Sequence, residues 1–193
     1  ACCVKVHYER SGDNALGAMK ELELFQREAA LMQRLRHKNV VELYGFCLRP
    51  RALVMELCPN GSLYAILHDA DYAPFLNTLA AQKKFASGIC AGMVHLHENG
   101  VVHRDLRTEN VFIAFPSSSK AGVRVKIGDF NLSREVSAQS LTMTECGTFQ
   151  WIAPETVRED HASEMVDVYS YAMLLWEITT RAVPFAGFEG GPW

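Results

Sequence analysis

The stretch His103-Arg104-Asp105-Leu106-Arg107-Thr108-Glu109-Asn110 decides how the chain reads. Upstream, residues 79–99 carry Leu79, Phe85, Ile89, Met93 and Leu96 at roughly helical intervals, and Gly100 stops that helix as a residue able to take positive φ. Val101-Val102 lead into the stretch, and residues 111–113 leave it as a short strand. An aspartate in a loop ordinarily caps a turn. Asn110, five residues after Asp105, changes that reading by putting an amide and an acid in one small loop.

Further along, Val123, Val125 and Ile127 alternate with polar residues, which predicts a strand running into Asp129-Phe130-Asn131. Pro116-Ser117-Ser118-Ser119 reads as a loop. Ala153-Pro154-Glu155 follows, then an apolar run over residues 165–178. That run is apolar nearly all round, so as a helix it is expected to be buried on every side.

Toward the N-terminus, residues 1–6 read as a strand carrying Cys2-Cys3-Val4-Lys5. Asp13-Asn14 breaks the chain, and a helix follows to about residue 36, with Phe25, Ala29, Met32 and Leu35 on one stripe. Glu28 falls on that stripe, where a desolvated carboxylate requires a partner. Strands are expected near 40–47 and 52–57, and Pro59-Asn60-Gly61 is a turn fit to be a hinge. The pattern is α+β in two lobes, a small strand-rich part and then a mainly helical one.

Composition narrows the function. The chain has 193 residues, 49% apolar and 21% charged, enough for one domain or two small lobes. A net charge of −3 without a basic block gives no electrostatic reason to expect nucleic acid. The six cysteines, Cys2, Cys3, Cys47, Cys58, Cys90 and Cys146, form no CxxC pair or spaced framework, which predicts reduced thiols in a cytosolic setting. Asp167, Ser170 and Glu177 interrupt the most apolar run, so no membrane span is expected. His95 and His97, two apart on a helix, face different ways, so a zinc site with His103 is not expected.

Taken in order, Cys2-Cys3-Val4-Lys5, the 103–110 stretch, Asp129-Phe130-Asn131 and Ala153-Pro154-Glu155, with a helical glutamate after the lysine, resemble the signature set of eukaryotic-type protein kinase catalytic domains. The resemblance runs from Val4 to about Phe185. It implies a protein-kinase-like two-lobe α+β fold, with residues 1–58 as an incomplete small lobe and 59–193 as the hinge exit and an incomplete large lobe through the central helix. It implies ATP and Mg²⁺ (or Mn²⁺) as cofactors. By resemblance, Lys5 pairs with Glu28 and reaches the α- and β-phosphates, Asp105 accepts or orients the substrate hydroxyl, and Asn110 and Asp129 ligate the metal. Arg107 stands where Ser/Thr kinases usually carry Lys; it keeps the charge near the γ-phosphate but as a planar fork. Cys3 would lie over adenine, Phe112 beneath it, and Met55 behind it as gatekeeper. Glu56, Leu57 and Cys58 would offer hinge backbone groups. For Cys3 and Phe112, plain core packing is the competing reading. Met32, Leu43, Phe130 and His103 would stack as a column, and Asp167 would bond the catalytic-loop backbone. Asn131 replaces the family's Gly; Asn is little penalised at positive φ, so the metal site is expected to survive and the segment to swing less freely.

The resemblance also implies a substrate class. Thr148 stands where Ser/Thr kinases place a threonine against the catalytic Asp, and Trp151 with residues 167–177 looks like the tyrosine-kinase-like group of Ser/Thr kinases. A protein substrate is expected at the segment around Thr148. An upstream activating kinase would phosphorylate Ser137, Ser140, Thr142 or Thr144, with Arg104 gripping the phosphate. A pseudokinase scaffold is the rival reading, kept open by Arg107 and Asn131. A small-molecule kinase is argued against by Ala153-Pro154-Glu155 and the long segment before it. The chain begins with Ala and has no Gly-rich loop before Lys5, so it is expected to be an excerpt of a cytoplasmic kinase domain, with any anchor outside it. As an excerpt it is expected to expose apolar surface and to bind ATP weakly.

Overall fold

The computed structural model describes residues 1–7, 15–115, 122–131, 133–135, 149–157 and 163–187. The break at Asp13-Asn14, the loop over residues 116–119, and Ser137, Ser140, Thr142, Thr144, Cys146 and Thr148 lie outside the described residues.

The first part holds strand β1 (Cys2–Val6), helix α1 (Ala15–Arg34), and strands β2 (Leu43–Leu48) and β3 (Arg51–Glu56). The strands form one antiparallel sheet in the order β1-β3-β2, with Cys3 opposite Met55 and Lys5 opposite Leu53. The predicted stripe of α1 faces inward: Phe25, Ala29, Met32 and Leu35 are all buried, and so is Glu28. β2 starts later than its apolar pattern predicted. Val40 and Val41 leave this sheet and join the second part, where the Val41 N–H donates to the Ile127 carbonyl at 2.8 Å. The hydrophobic run was real, but a crossing between lobes uses its first residues.

The second part begins at Gly61, whose φ of +73° follows the Pro59-Asn60 turn. Ser62 caps α2 (Leu63–His68) by accepting from the Ala65 N–H. After a 3-10 turn (Ala70–Tyr72) and the short α3 (Ala73–Leu76), Thr78 caps α4 (Leu79–Glu98) in the same way. Gly100, at φ +71°, ends α4 as expected. Strands β4 (Val101–Val102), β5 (Val111–Ala114), β6 (Arg124–Ile127) and β7 (Arg134–Glu135) form two antiparallel ribbons, β4 with β7 and β5 with β6. The 103–110 stretch therefore spans β4 to β5, and residues 129–131 lie between β6 and β7. α5 (Pro154–Val157) and α6 (Met165–Thr180) complete the described chain.

One apolar cluster runs through both parts, joining Phe25, Met32 and Leu53 to Phe85, Ile127 and Leu174. The crossing is tight: a Cβ on Gly92 of α4 would stand 2.7 Å from Ile127 Cδ1 and 2.8 Å from the Asn39 carbonyl. Asn39 Nδ2 also donates to the Val125 carbonyl at 2.8 Å. The expectation for α6 is corrected. Val166, Asp167, Ser170, Leu174, Glu177 and Ile178 are buried, but Met165, Val168 and Trp176 are exposed. One face packs on α4 and the neighbouring loops, and three of its six buried residues are polar. A run of apolar residues shows that a helix can be buried, not which of its faces has neighbours. Exposed apolar side chains also occur at Val4, Tyr44, Phe46 and Leu48.

Candidate active site

The 103–110 loop is held from below by α6. Asp167, buried, accepts the His103 N–H on Oδ2 and the Arg104 N–H on Oδ1, both at 2.8 Å. Its Oδ2 also lies 2.8 Å from His97 Nε2. The loop turns sharply there, with Arg104 at φ +67°. The buried His103 ring ties the loop to the next one: Nδ1 accepts the Asp105 N–H at 3.3 Å, and Nε2 meets the Gly128 carbonyl at 3.2 Å. This pair of partners selects the Nε2-protonated tautomer. A second hold from α6 is absent from the sequence reading. The fully buried Glu177 accepts from Thr108 Oγ1 at 2.9 Å and lies 3.0 Å from His68 Nε2. Burial pushes the Glu177 carboxyl up, against the hydrogen bonds of His68 and Thr108.

Inside the loop, the Asn110 amide nitrogen donates to both Asp105 O and Asp105 Oδ2 at 2.8 Å. That fixes the amide and turns its Oδ1 away from Asp105. Burial raises the Asp105 carboxyl above its ordinary value, opposed by Arg107, His103 and the Asn110 bond. Arg107 Nε lies 3.5 Å from Asp105 Oδ1, and the same guanidinium reaches Glu109 at 3.6 Å. Arg107 thus lies beside the Asp105 carboxylate.

Across the cleft, Lys5 Nζ lies 2.8 Å from Glu28 Oε1 and 2.8 Å from Asp129 Oδ1. The buried glutamate has the partner its position required. Burial alone would lower the Lys5 pKa, but the charges of Glu28 and Asp129 outweigh it and hold the value up. Nζ has a third acceptor, Asn131 Oδ1 at 3.2 Å. The positive φ in this segment falls on Asp129, at +62°, and Asn131 is not among the described residues with positive φ. Asn131 acts through its side chain. The sequence signal was the residue type, an acceptor two positions from the carboxylate. His7, missed as well, follows the end of β1, two residues after Lys5. Its Nε2 lies 3.6 Å from Glu28 Oε2, and its ring meets Phe25 edge-on. Burial lowers the His7 pKa, against the pull of Glu28.

Beside this cleft, Met55, Cys58 and Phe112 are half-buried and pack on the core, and Cys3 pairs with Met55 across the sheet. The Glu56 N–H already donates to the Glu42 carbonyl at 2.8 Å, so that donor is engaged within the fold. The Glu56 carboxylate pairs with the buried Lys126, whose Nζ also donates to the Val40 carbonyl at 3.3 Å. Burial pushes the Cys58 thiol up to about 11, so it stays protonated at neutral pH. Met32, Leu43 and Phe130 lie in one buried cluster, and the His103 ring lies 5.4 Å from that of Phe130. The three histidines go three ways: His95 stacks on His37, His97 meets Asp167, and His103 meets Gly128. The phosphate grip expected of Arg104 involves residues outside the described ones.

Three carboxylates (Glu28, Asp105 and Asp129), an ammonium, a guanidinium and an oriented amide thus come together. Asn110 Oδ1 and the Asp129 carboxylate are oxygen donors of the kind hard divalent cations take. Among the described residues no helix is long and apolar enough to cross a membrane, and Cys2, Cys3, Cys47, Cys58 and Cys90 are free thiols.

A family model described as protein tyrosine and serine/threonine kinase matches residues 4–190. The mitogen-activated protein kinase kinase kinase dlk-1 of Caenorhabditis briggsae is 36% identical over 178 residues, which is 90% of this chain and 20% of that protein. The serine/threonine-protein kinase STY46 of Arabidopsis thaliana is 39% identical over 164 residues, 83% of this chain and 27% of that protein. The mitogen-activated protein kinase kinase kinase 13-A of Xenopus laevis is 35% identical over 157 residues, 80% of this chain and 15% of that protein. The chain therefore spans between 15% and 27% of the length of these relatives.

Proposed function

Because the chain belongs to the protein tyrosine and serine/threonine kinase family, we propose that it transfers the γ-phosphoryl group of ATP to Ser and Thr hydroxyls of protein substrates. The observation that carries this reading is the meeting of Lys5 with Glu28 and Asp129, which are 23 and 124 residues away in sequence. Residues 1–58 serve as the small lobe, and residues 59–193 as the hinge exit and large lobe.

Each role follows from the chemistry of the cleft. Bound ATP would supply the phosphoryl group, and a divalent cation, Mg²⁺ (or Mn²⁺), would neutralise charge on it. Lys5, kept charged by its carboxylates, donates to the α- and β-phosphates, and Glu28 aims it. Asp105 accepts the proton of the attacking hydroxyl. Its oriented carboxylate and its burial-raised pKa support that role. Asn110 Oδ1 and Asp129 hold the cation, and Arg107 adds positive charge on the γ-phosphate side. Met55, the Glu56 carbonyl, Cys58, Cys3 and Phe112 line the adenine site. The protein substrate docks at the segment around Thr148, which an upstream kinase orders by phosphorylation, and the domain works in the cytoplasm. The names of the relatives, two kinase kinase kinases and one serine/threonine kinase, support a place in a signalling cascade. A second reading, a scaffold that binds nucleotide without efficient transfer, is favoured by one observation: Lys5 already has three acceptors.

The test is phosphotransfer from labelled ATP with Mg²⁺ by the full-length protein, with Asp105→Asn as control. Label on Ser or Thr that disappears in the variant is the expected result. Label on Tyr, or label that persists in Asp105→Asn, overturns the reading. A folded protein that binds nucleotide and transfers nothing supports the scaffold.

A further inference from the structure

We propose that Asn131 is a positioning residue for Lys5 that competes with nucleotide phosphate for the lysine's third proton. The proposal rests on the reading of the cleft as an ATP site. An ammonium has three N–H donors and no acceptor. In this structure all three have partners: Glu28 Oε1 and Asp129 Oδ1 at 2.8 Å, and Asn131 Oδ1 at 3.2 Å. The three are unequal. The first two are charge-assisted on both sides, whereas Asn131 is neutral, exposed and the longest of the set. A phosphate oxygen approaching Lys5 displaces the weakest partner first. Asn131 therefore stabilises the empty arrangement, and nucleotide binding must break its bond.

The backbone gives an independent argument that the side chain matters here. Asn131 is not among the described residues with positive φ, so this position makes no glycine-like demand that an asparagine would be tolerated to meet. Alanine fits such a backbone equally well and removes only the acceptor. The amide must turn its oxygen to the ammonium, since its nitrogen can only donate.

Two readouts on the full-length protein separate the contact from its consequence. The first is the rate at which an amine-acylating reagent labels Lys5 without nucleotide, followed by mass spectrometry. Asn131→Ala is expected to speed labelling, because it removes an acceptor from the ammonium. The second is calorimetric titration with ATP and MgCl₂. Asn131→Ala and Asn131→Gly are expected to tighten binding alike, by about threefold to tenfold, the range of one exposed hydrogen bond. Asn131→Asp, a charged acceptor, is expected to weaken it. Tightening in Asn131→Gly alone would assign the effect to backbone freedom and overturn the proposal. Unchanged Lys5 labelling in Asn131→Ala overturns the contact itself. Faster labelling in a protein that binds no nucleotide keeps the contact and overturns the ATP-site reading instead.

Discussion

The side-chain amide of Asn110 holds Asp105 twice, donating to its main-chain carbonyl and to its carboxylate, each at 2.8 Å. The geometry of the acid thus depends on the amide. Asn110→Ala is expected to lower the phosphotransfer rate by on the order of a hundredfold or more, the scale of a mispositioned general base. Asn110→Asp keeps an oxygen for a cation but loses both donors and places a second carboxylate beside Asp105, so it is expected to lose activity too. Rates measured on folded variants, with circular dichroism as the check, decide this. Full activity in either variant would refute the dependence.

Asp167 anchors three donors in a buried site, the N–H groups of His103 and Arg104 and the His97 ring. Asp167→Ala leaves buried amides without an acceptor and is expected to cost about 3 kcal/mol. Asp167→Asn keeps the shape and one acceptor, and is expected to cost about half as much. Urea unfolding of both variants gives the comparison. Equal loss in the two would show that the shape and the single acceptor kept by Asn contribute nothing, and would refute the expected difference.

Gly92 is tight for a different reason. An added Cβ would stand 2.7 Å from Ile127 Cδ1 and 2.8 Å from the Asn39 carbonyl, a backbone atom that moves little. Alanine is the better helix former, and yet Gly92→Ala is expected to destabilise by about 1–3 kcal/mol through overpacking. A stabilised variant in the same unfolding assay would mean that the crossing relaxes freely.

Glu177 gives a pH signature. Burial raises its folded pKa above the ordinary 4.5. A carboxyl raised on folding contributes stability that is present below the unfolded value and lost as pH rises through the folded one. Glu177→Gln never ionises, so its stability relative to the native protein is expected to climb as pH rises from 4.5 and to level off above the folded pKa. Unfolding midpoints across that range measure the difference. A difference that is flat, or that falls with rising pH, would contradict the raised value.

The Lys5–Glu28 pair was legible in the sequence because a charge on an apolar helical stripe has few ways to exist. The burial of Phe25, Ala29, Met32 and Leu35, and the stops at Gly61 and Gly100, were legible for similarly local reasons. Less legible were contacts that depend on which element arrives next to which. Val40 and Val41 had a strand's composition but pair across the lobes, because periodicity does not name a partner. α6 looked buried all round, but its polar Asp167, Ser170 and Glu177 lie inward while Trp176 lies out. Asn131 was read by its backbone tolerance and acts through its amide. His7 stands two residues after Lys5, a relationship present in the sequence and overlooked beside the stronger motif.

The bond from His103 to Asp167 joins residues 64 apart in sequence, with the anchor as the later of the two. During synthesis at roughly 5–20 residues per second, about 3–13 s pass between the addition of the two residues. Through that interval the nascent 103–110 loop lacks the acceptor for the turn at His103 and Arg104. A chain stalled by the ribosome before α6 carries all of Lys5, Glu28, Asp105, Asn110 and Asp129 and lacks the carboxylate that accepts the His103 and Arg104 N–H groups.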